Sequence, residues 1–158
     1  MANQGAFTSG QVLTAAELNA FTNITALEQT QYSVPNTTVT VIDFGTGTTM
    51  VDPSNWHDEG TNPSRVTPTV AGLYRCFAKW EFQTSIADVV TASFLVNGSE
   101  PEGCEFQLVG TNIRGQASNE FFFELNGSTD YVELEFYQDT GFTQPVDFQF
   151  VVQLVRAS

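Results

Sequence analysis

The chain has 158 residues, of which 41% are hydrophobic, and its formal net charge is −13. This length suits a single domain that buries its own core without help from disulfides or metals. With only five Lys and Arg against 18 Asp and Glu, the chain lacks the clustered cations that contact a nucleic-acid backbone, which excludes nucleic acid as a direct ligand. Fourteen Phe residues, together with abundant Thr and Val, favour strands over helices.

Residues 1–30 differ from the rest and predict a short helical attachment segment. In the stretch FTSGQVLTAAELNAFTNITALEQ, Thr14 and Glu17 have the spacing of a capping box, and the alanines and leucines around them favour helix. A loose apolar stripe, continued by Ile24 and Leu27, would give this helix one face for packing. We expect it to dock onto a partner through Val12, Leu13, Leu18 and Phe21.

The same segment lacks the basic start and continuous apolar core of a secretory signal. No run of about 18 apolar residues occurs, so we expect no membrane span. We therefore interpret the chain as made in a cytoplasm, and Cys76 and Cys104 as two reduced thiols.

From about residue 31 the apolar period becomes two, which predicts an all-β domain over residues 31–158. Gly-, Pro- and Asn-rich turns separate eight short strands, as is typical of a sandwich or jelly roll. The predicted strands are 37–44, 64–69, 72–83, 89–97, 104–110, 118–125, 130–138 and 146–155.

Several of these strands carry apolar side chains on both faces. In TVAGLYRCFAKWEF, the face from Tyr74 to Phe82 is predicted to be core, and the opposite face mixes apolar residues with Arg75 and Lys79, which could pair with carboxylates. Aromatic residues on a second face favour a subunit interface, although cover by residues 11–28 is an alternative. The predicted contact residues are Phe77, Phe122, Tyr131, Tyr137 and Val151.

The loop sequence DPSNWHDEG concentrates the titratable side chains Asp52, His57, Asp58 and Glu59. A metal site would need several of these ligands to converge, so a plain exposed loop is the preferred interpretation. Trp56 is expected to pack under its own loop rather than to form a sugar platform. No nucleophile elbow or cofactor motif occurs, so we expect neither an enzyme nor a bound cofactor.

Two stretches resemble known families. The segments DPSNWHDEGTNPSRVTPTVAGLYRCFAKWEF, FLVNGS and STDYVELEFYQDTG resemble the C1q/TNF-like jelly roll over about residues 37–155, above all its bacteriophage and bacterial C1q-like members. FTSGQVLTAAELNAFTN resembles the N-terminal segment of many phage structural proteins over residues 7–23. Together they imply a phage virion protein with an attachment segment and a trimeric jelly roll.

The compact chain then favours a capsid decoration or cement protein. The resemblance implies a homotrimer that docks onto the major capsid protein or another virion protein through residues 1–30, without catalysis. One alternative is a tail- or head-fibre knob that binds a host surface receptor or polysaccharide. A non-viral C1q-like bacterial binding module is a third interpretation.

Overall fold

The computed structural model describes residues 23–82, 86–113 and 116–158. Regular structure in these ranges consists of antiparallel strands, and none of it is a helix able to cross a membrane. The strands are β1 Ile24–Val34, β2 Thr40–Val41, β3 Thr48–Val51, β4 His57–Asp58, β5 Asn62–Val66, β6 Gly72–Phe82, β7 Ile86–Val96, β8 Phe106–Ile113, β9 Gln116–Leu125, β10 Val132–Gln138 and β11 Gln144–Ala157.

The strands form two sheets that face each other. The five-stranded sheet has the order β3-β1-β11-β6-β9. The six-stranded sheet has the order β4-β5-β10-β7-β8, with β2 added on β10. Chain neighbours such as β6 and β7 lie in different sheets, so the chain crosses the sandwich repeatedly, as in a jelly roll. This confirms the predicted all-β jelly-roll sandwich.

The core lies between the sheets and follows the period of two in the sequence. In β6 the residues at alternate positions from Tyr74 to Phe82 are buried, as predicted. Trp80 packs edge-on against Phe136 at a centroid distance of 5.8 Å, and Phe136 packs against Phe148 at 5.0 Å. Each such buried side chain contributes about 1.5–3 kcal/mol of transfer free energy, so these aromatic contacts bind the two sheets together.

One prediction about the N-terminal segment is wrong. The sandwich begins at Ile24 rather than at residue 31, and Ile24 and Leu27 belong to β1 instead of a helical stripe. Thr25, Leu27 and Gln29 alternate toward the core and pair with β11. A helix preference of a few tenths of a kcal/mol per residue is small beside a full ladder of backbone hydrogen bonds and a buried face.

The remaining differences concern edge segments. The predicted strand 37–44 shortens to Thr40–Val41. Ile42 and Phe44 are nevertheless buried, and their amides donate to the carbonyl oxygens of Leu134 and Pro63. Strands β3 and β4 lie outside the predicted strands, since neither shows an apolar alternation. The other seven predicted strands are present, with ends shifted by no more than three residues.

Candidate assembly surface

The outer face of the five-stranded sheet carries a row of apolar side chains. Phe77 on β6 lies opposite Val151 on β11, Val151 opposite Ala26 on β1, and Ala26 opposite Val51 on β3. Directly opposed residues bring their Cβ atoms within about 4.5–5.5 Å, so the four side chains form one continuous stripe, here called the apolar row. Val51 is 44% exposed, and its three companions are half-buried.

Ion pairs border this row on the β9 side. Arg75 Nε lies 2.7 Å from Glu120 Oε2, and its guanidinium carbon is 5.8 Å from the Phe77 ring centroid. Arg156 Nη2 lies 3.0 Å from Glu124 Oε1. Arg75 therefore meets a carboxylate of its own chain. Exposed pairs of this kind contribute little to stability. The Arg75–Glu120 pair flanks the apolar row, since Glu120 is opposite Phe77, and the Arg156–Glu124 pair lies further along the sheet at Leu73.

The structure separates the five predicted contact residues into two groups. Phe77, Phe122 and Val151 share the outer face of the five-stranded sheet, where Phe122 is opposite Arg75 and 48% exposed. Tyr137 and Tyr131 instead lie on β10 and just before it, on the six-stranded sheet. Because the jelly roll assigns β10 and β11 to opposite sheets, the five residues cannot form one continuous patch.

On the six-stranded sheet Tyr131 already has a partner within the chain. The Arg65 guanidinium lies 4.0 Å from its ring centroid, and Arg65 Nε donates to Glu133 Oε1 at 3.2 Å. Ser64 Oγ donates to the same oxygen at 2.7 Å. Glu133 is 6% exposed, so this small polar network satisfies a buried carboxylate and makes Tyr131 part of the domain's own structure.

The outer face of the six-stranded sheet is acidic further along β10. Glu135 lies opposite Ser93 on β7 and Val41 on β2. Partial burial, reinforced by the negative charges of Glu100 and Glu105, raises the pKa of Glu135 above its ordinary value. Like charges thus gather on this face, whereas the four residues of the apolar row carry none.

The acidic loop around His57 has its side chains committed to local structure. Asp52 accepts from the Thr25 hydroxyl at 2.8 Å and from the His57 amide at 2.9 Å. Backbone amides, that of Gly60 first, hold the pKa of Asp58 below its usual value. Among the described residues no group of three His, Cys, Asp or Glu side chains could hold a metal ion.

The prediction of a plain exposed loop is correct for Asp58 and Glu59 and wrong for His57. Asp58 and Glu59 are exposed. His57 is only 6% exposed, with Nδ1 at 3.0 Å from the Arg65 carbonyl oxygen. Trp56 is 2% exposed and donates from Nε1 to Thr69 Oγ1 at 3.1 Å, so it packs under its own loop as predicted.

The two cysteines are buried and are not joined by a disulfide. Cys76 is on β6 in the core, and burial raises the pKa of its thiol. Cys104 precedes β8, and its Sγ donates to the Phe94 carbonyl oxygen at 3.1 Å. Burial also raises the pKa of the Cys104 thiol, and a raised pKa disfavours the nucleophilic thiolate at both positions.

The proposed docking residues Val12, Leu13, Leu18 and Phe21 lie outside the described residues. Sequence reasoning also missed part of the apolar row. Ala26 was interpreted as helical, and Val51 lies in a Thr-rich stretch without alternation. The sequence holds one local signal for this edge of the sheet, the adjacent apolar residues Met50 and Val51. In the structure Met50 is also exposed, at 53%.

No protein-family model and no curated protein sequence matches the chain. Several solved structures, in contrast, are similar to the chain. PRD1 vertex protein P5 is similar with a TM-score of 0.65 at 12% sequence identity, covering 86% of this chain and 99% of that chain. The globular domain of zebrafish complement 1qA protein gives 0.63 at 13% identity over the same shares. Murine APRIL gives 0.53 at 10% identity, over 81% of this chain and 98% of that one. The fold of the chain is therefore a jelly roll of the C1q/TNF-like kind.

Proposed function

We propose that the chain is a structural protein of a bacteriophage particle: a homotrimer that decorates or cements the capsid and acts by binding, without catalysis. The observation that carries the proposal is the apolar row on an outer sheet face. A solvent-facing sheet ordinarily alternates polar residues outward. An apolar stripe across four strands indicates a surface that another protein covers.

Three identical copies offer a simple way to cover this face. A ring of three requires a heterologous contact, in which one patch of each copy meets a different patch of the next. The apolar row supplies one patch. Phe122, at the β9 end of the sheet, is an exposed aromatic suited to the second. Aromatic side chains are the residues most enriched in such contacts.

Two resemblances support placement on a virion. The similarity to PRD1 vertex protein P5 extends over nearly all of that chain. Residues 7–23 resemble the N-terminal segment of phage structural proteins. That segment precedes Ile24, where β1 begins, so it joins the sandwich at one end. In a trimer three segments would bind together, and the second and third attachments gain from a high effective concentration.

Copy number and position on intact virions test the proposal. Gel densitometry combined with cryo-electron microscopy should find many copies on the icosahedral lattice, and analytical ultracentrifugation of the purified chain should give a trimer. Leu18→Asp should leave a folded trimer that no longer associates with virions. A monomer, or a few copies restricted to a tail, would contradict the proposal. A Leu18→Asp chain that fails to fold would show that the segment belongs to the domain core.

One observation favours a second function, a fibre knob that contacts the host surface. The loop between β10 and β11 lies at the far end of β1 from Ile24, since Val34 pairs with Gln144. Gln138 is fully buried and fixes this loop: its Nε2 donates to the Phe142 carbonyl at 3.0 Å, and its Oε1 accepts from the Thr140 amide at 2.9 Å.

This hydrogen-bonded loop presents Phe142 at 60% exposure, at the end of the sheet away from Ile24. An exposed aromatic held by a fixed backbone is suited to a contact site. Phe142→Asp should then reduce adsorption of the phage to its host while particle stability is unchanged. Under the decoration function the same variant should leave adsorption unaltered.

A further inference from the structure

One edge of the sandwich holds an open cleft that the proposed assembly does not use. The edge strands β3 and β4, which belong to different sheets, border this cleft, and its volume is about 530 Å³. Thr49 Oγ1 donates to Glu59 Oε1 at 2.7 Å, which links β3 to the turn between β4 and β5. The side chains that line the space, here called the edge cleft, are all polar: Thr49, Asp52, Asn55, His57, Asp58 and Glu59.

His57 contributes a buried acceptor that lacks a donor. Its side chain is 6% exposed, and Nδ1 lies 3.0 Å from the Arg65 carbonyl oxygen. Because a carbonyl oxygen only accepts, the neutral ring carries its hydrogen on Nδ1 and a lone pair on Nε2. Nε2 has no hydrogen-bond partner among the described residues. After the amides of Gly60 and Thr61, His57 also lowers the pKa of Asp58, so the unpaired acceptor lies near a carboxylate of the edge cleft.

The three carboxylates of the edge cleft are not neutralised by cations of the described chain. Of the five Lys and Arg residues, one, Arg114, lies outside the described residues. The other four each form an ion pair with a glutamate outside the cleft: Arg65, Arg75, Lys79 and Arg156. A ligand that enters the cleft therefore meets a negative charge together with an unused acceptor.

We propose that the edge cleft binds a primary ammonium group, whose N–H groups donate to His57 Nε2 and to the carboxylates of Asp58 and Glu59. An ammonium group has three donors and no acceptor, which matches a lone pair beside carboxylates. Among the described residues no group of three His, Cys, Asp or Glu side chains is placed to hold a metal ion. A lysine side chain of a partner protein and a free amine both carry this group. The site contains no residue of the apolar row, so it does not depend on the proposed trimer.

The ring nitrogens of His57 give a direct measurement, because the chain has a single histidine. A long-range proton–nitrogen NMR spectrum of the purified full chain, in a mildly alkaline buffer, reports both nitrogens separately. Titration with methylammonium chloride should shift the Nε2 resonance along a saturating curve while Nδ1 stays protonated. Tetramethylammonium chloride at the same ionic strength is the matched control. It carries the same charge without an N–H donor and should leave Nε2 unchanged.

Two charge-matched variants locate the binding. Glu59→Gln keeps an acceptor for Thr49 but removes a charge from the edge cleft, and should raise the dissociation constant for methylammonium by about threefold. Glu102→Gln removes the same charge from the loop between β7 and β8, where Glu102 is exposed, and should leave the constant unchanged. Backbone amide spectra confirm that each variant is folded.

A lysine analogue distinguishes the two sources of the ammonium group. Tighter binding of Nα-acetyl-lysine methylamide than of methylammonium would indicate a lysine of a partner protein, and equal or weaker binding a free amine. An Nε2 resonance that does not move with methylammonium, or that moves equally with tetramethylammonium, would overturn the proposal. Equal effects of Glu59→Gln and Glu102→Gln would overturn it as well, because they would attribute the binding to overall charge. The trimer is measured separately, by sedimentation.

Discussion

The two sheets of this sandwich have similar inner faces and different outer faces. Inside, both present alternating Phe, Val and Leu residues. Outside, the five-stranded sheet carries the uncharged apolar row, with carboxylates such as Glu28 and Asp147 further along the same face, whereas the six-stranded sheet carries Glu135 near Glu100 and Glu105. The uncharged row suits a surface that another copy covers, whereas the carboxylates on both faces suit exposure to solvent. The inner faces thus determine the fold, and the difference between the outer faces points to the function.

The largest expected effect comes from placing a charge within the apolar row. Val151→Asp should lower trimer affinity by about 100-fold or more, because an unpaired carboxylate would be buried against the neighbouring copy. The half-buried Val89 on the outer face of the six-stranded sheet offers a matched control. Val89→Asp should leave the trimer intact in sedimentation velocity.

Circular dichroism distinguishes loss of assembly from loss of fold in that pair. Val151→Asp should keep the wild-type β-sheet spectrum as a monomer. If both variants remain trimeric, the apolar row is not the contact, and if Val89→Asp alone dissociates, the roles of the two faces are the reverse of those proposed.

The next largest effect concerns the free energy of unfolding. It compares the Arg65–Glu133 pair on the six-stranded sheet with the Arg75–Glu120 pair on the five-stranded sheet. Glu133→Ala should lower the free energy of unfolding by about 1–3 kcal/mol, because it leaves Arg65 and Ser64 without their acceptor at a buried position. Glu120→Ala breaks the exposed pair with Arg75 and should cost no more than about 0.5 kcal/mol. Urea denaturation of the two variants measures both. Equal losses would show that burial does not distinguish the two pairs.

A smaller effect is expected from the cations of the five-stranded sheet. Reversing Arg75 and Lys79 to Glu together should weaken the trimer by roughly fivefold, because both lie on the proposed contact face and offset its carboxylates. Reversing Arg65 to Glu, on the other sheet, should lower monomer stability without a matching change in trimer affinity. Unchanged affinity in the double variant, measured by sedimentation, would remove charge compensation as a role for Arg75 and Lys79.

The parts of this fold that local alternation specifies were predictable. β6 and β11 follow their patterns closely, because one face is buried along all of β6 and along β11 as far as Leu154. β9 alternates as predicted, although only Phe123 and Leu125 at its end are buried. The N-terminal part of β1 falls within the predicted helical segment 1–30, since its alanine, leucine and glutamate residues favour helix and its strand depends on pairing with the distant β11. The short edge strands β3 and β4 bury too little for any pattern to appear.

Local sequence patterns also predict only part of the candidate assembly surface. Outward-facing Phe77, Phe122 and Val151 were identifiable from alternation alone, because the side-chain period of a strand is fixed. Their alignment with Ala26 and Val51, and their separation from Tyr131 and Tyr137, depend on which strands share a sheet. That assignment comes from long-range pairing in the jelly roll, which no window of sequence contains.

The smallest effect concerns the pH dependence of Glu135 on the acidic face. Its pKa in the folded chain is raised above the ordinary value of 4.5, so the folded state binds the proton more tightly than the unfolded state does. Stability is therefore lowered at neutral pH, and this penalty disappears as pH falls below the unfolded pKa. Glu135→Gln should stabilise the domain at pH 7 by about 0.5 kcal/mol or less, since the side chain is largely solvated, and by nothing near pH 4. Thermal unfolding of the variant and of the exposed control Glu102→Gln at both pH values measures the difference. A gain that persists unchanged at pH 4 would mean that packing of the amide, rather than relief of repulsion from Glu100 and Glu105, accounts for it.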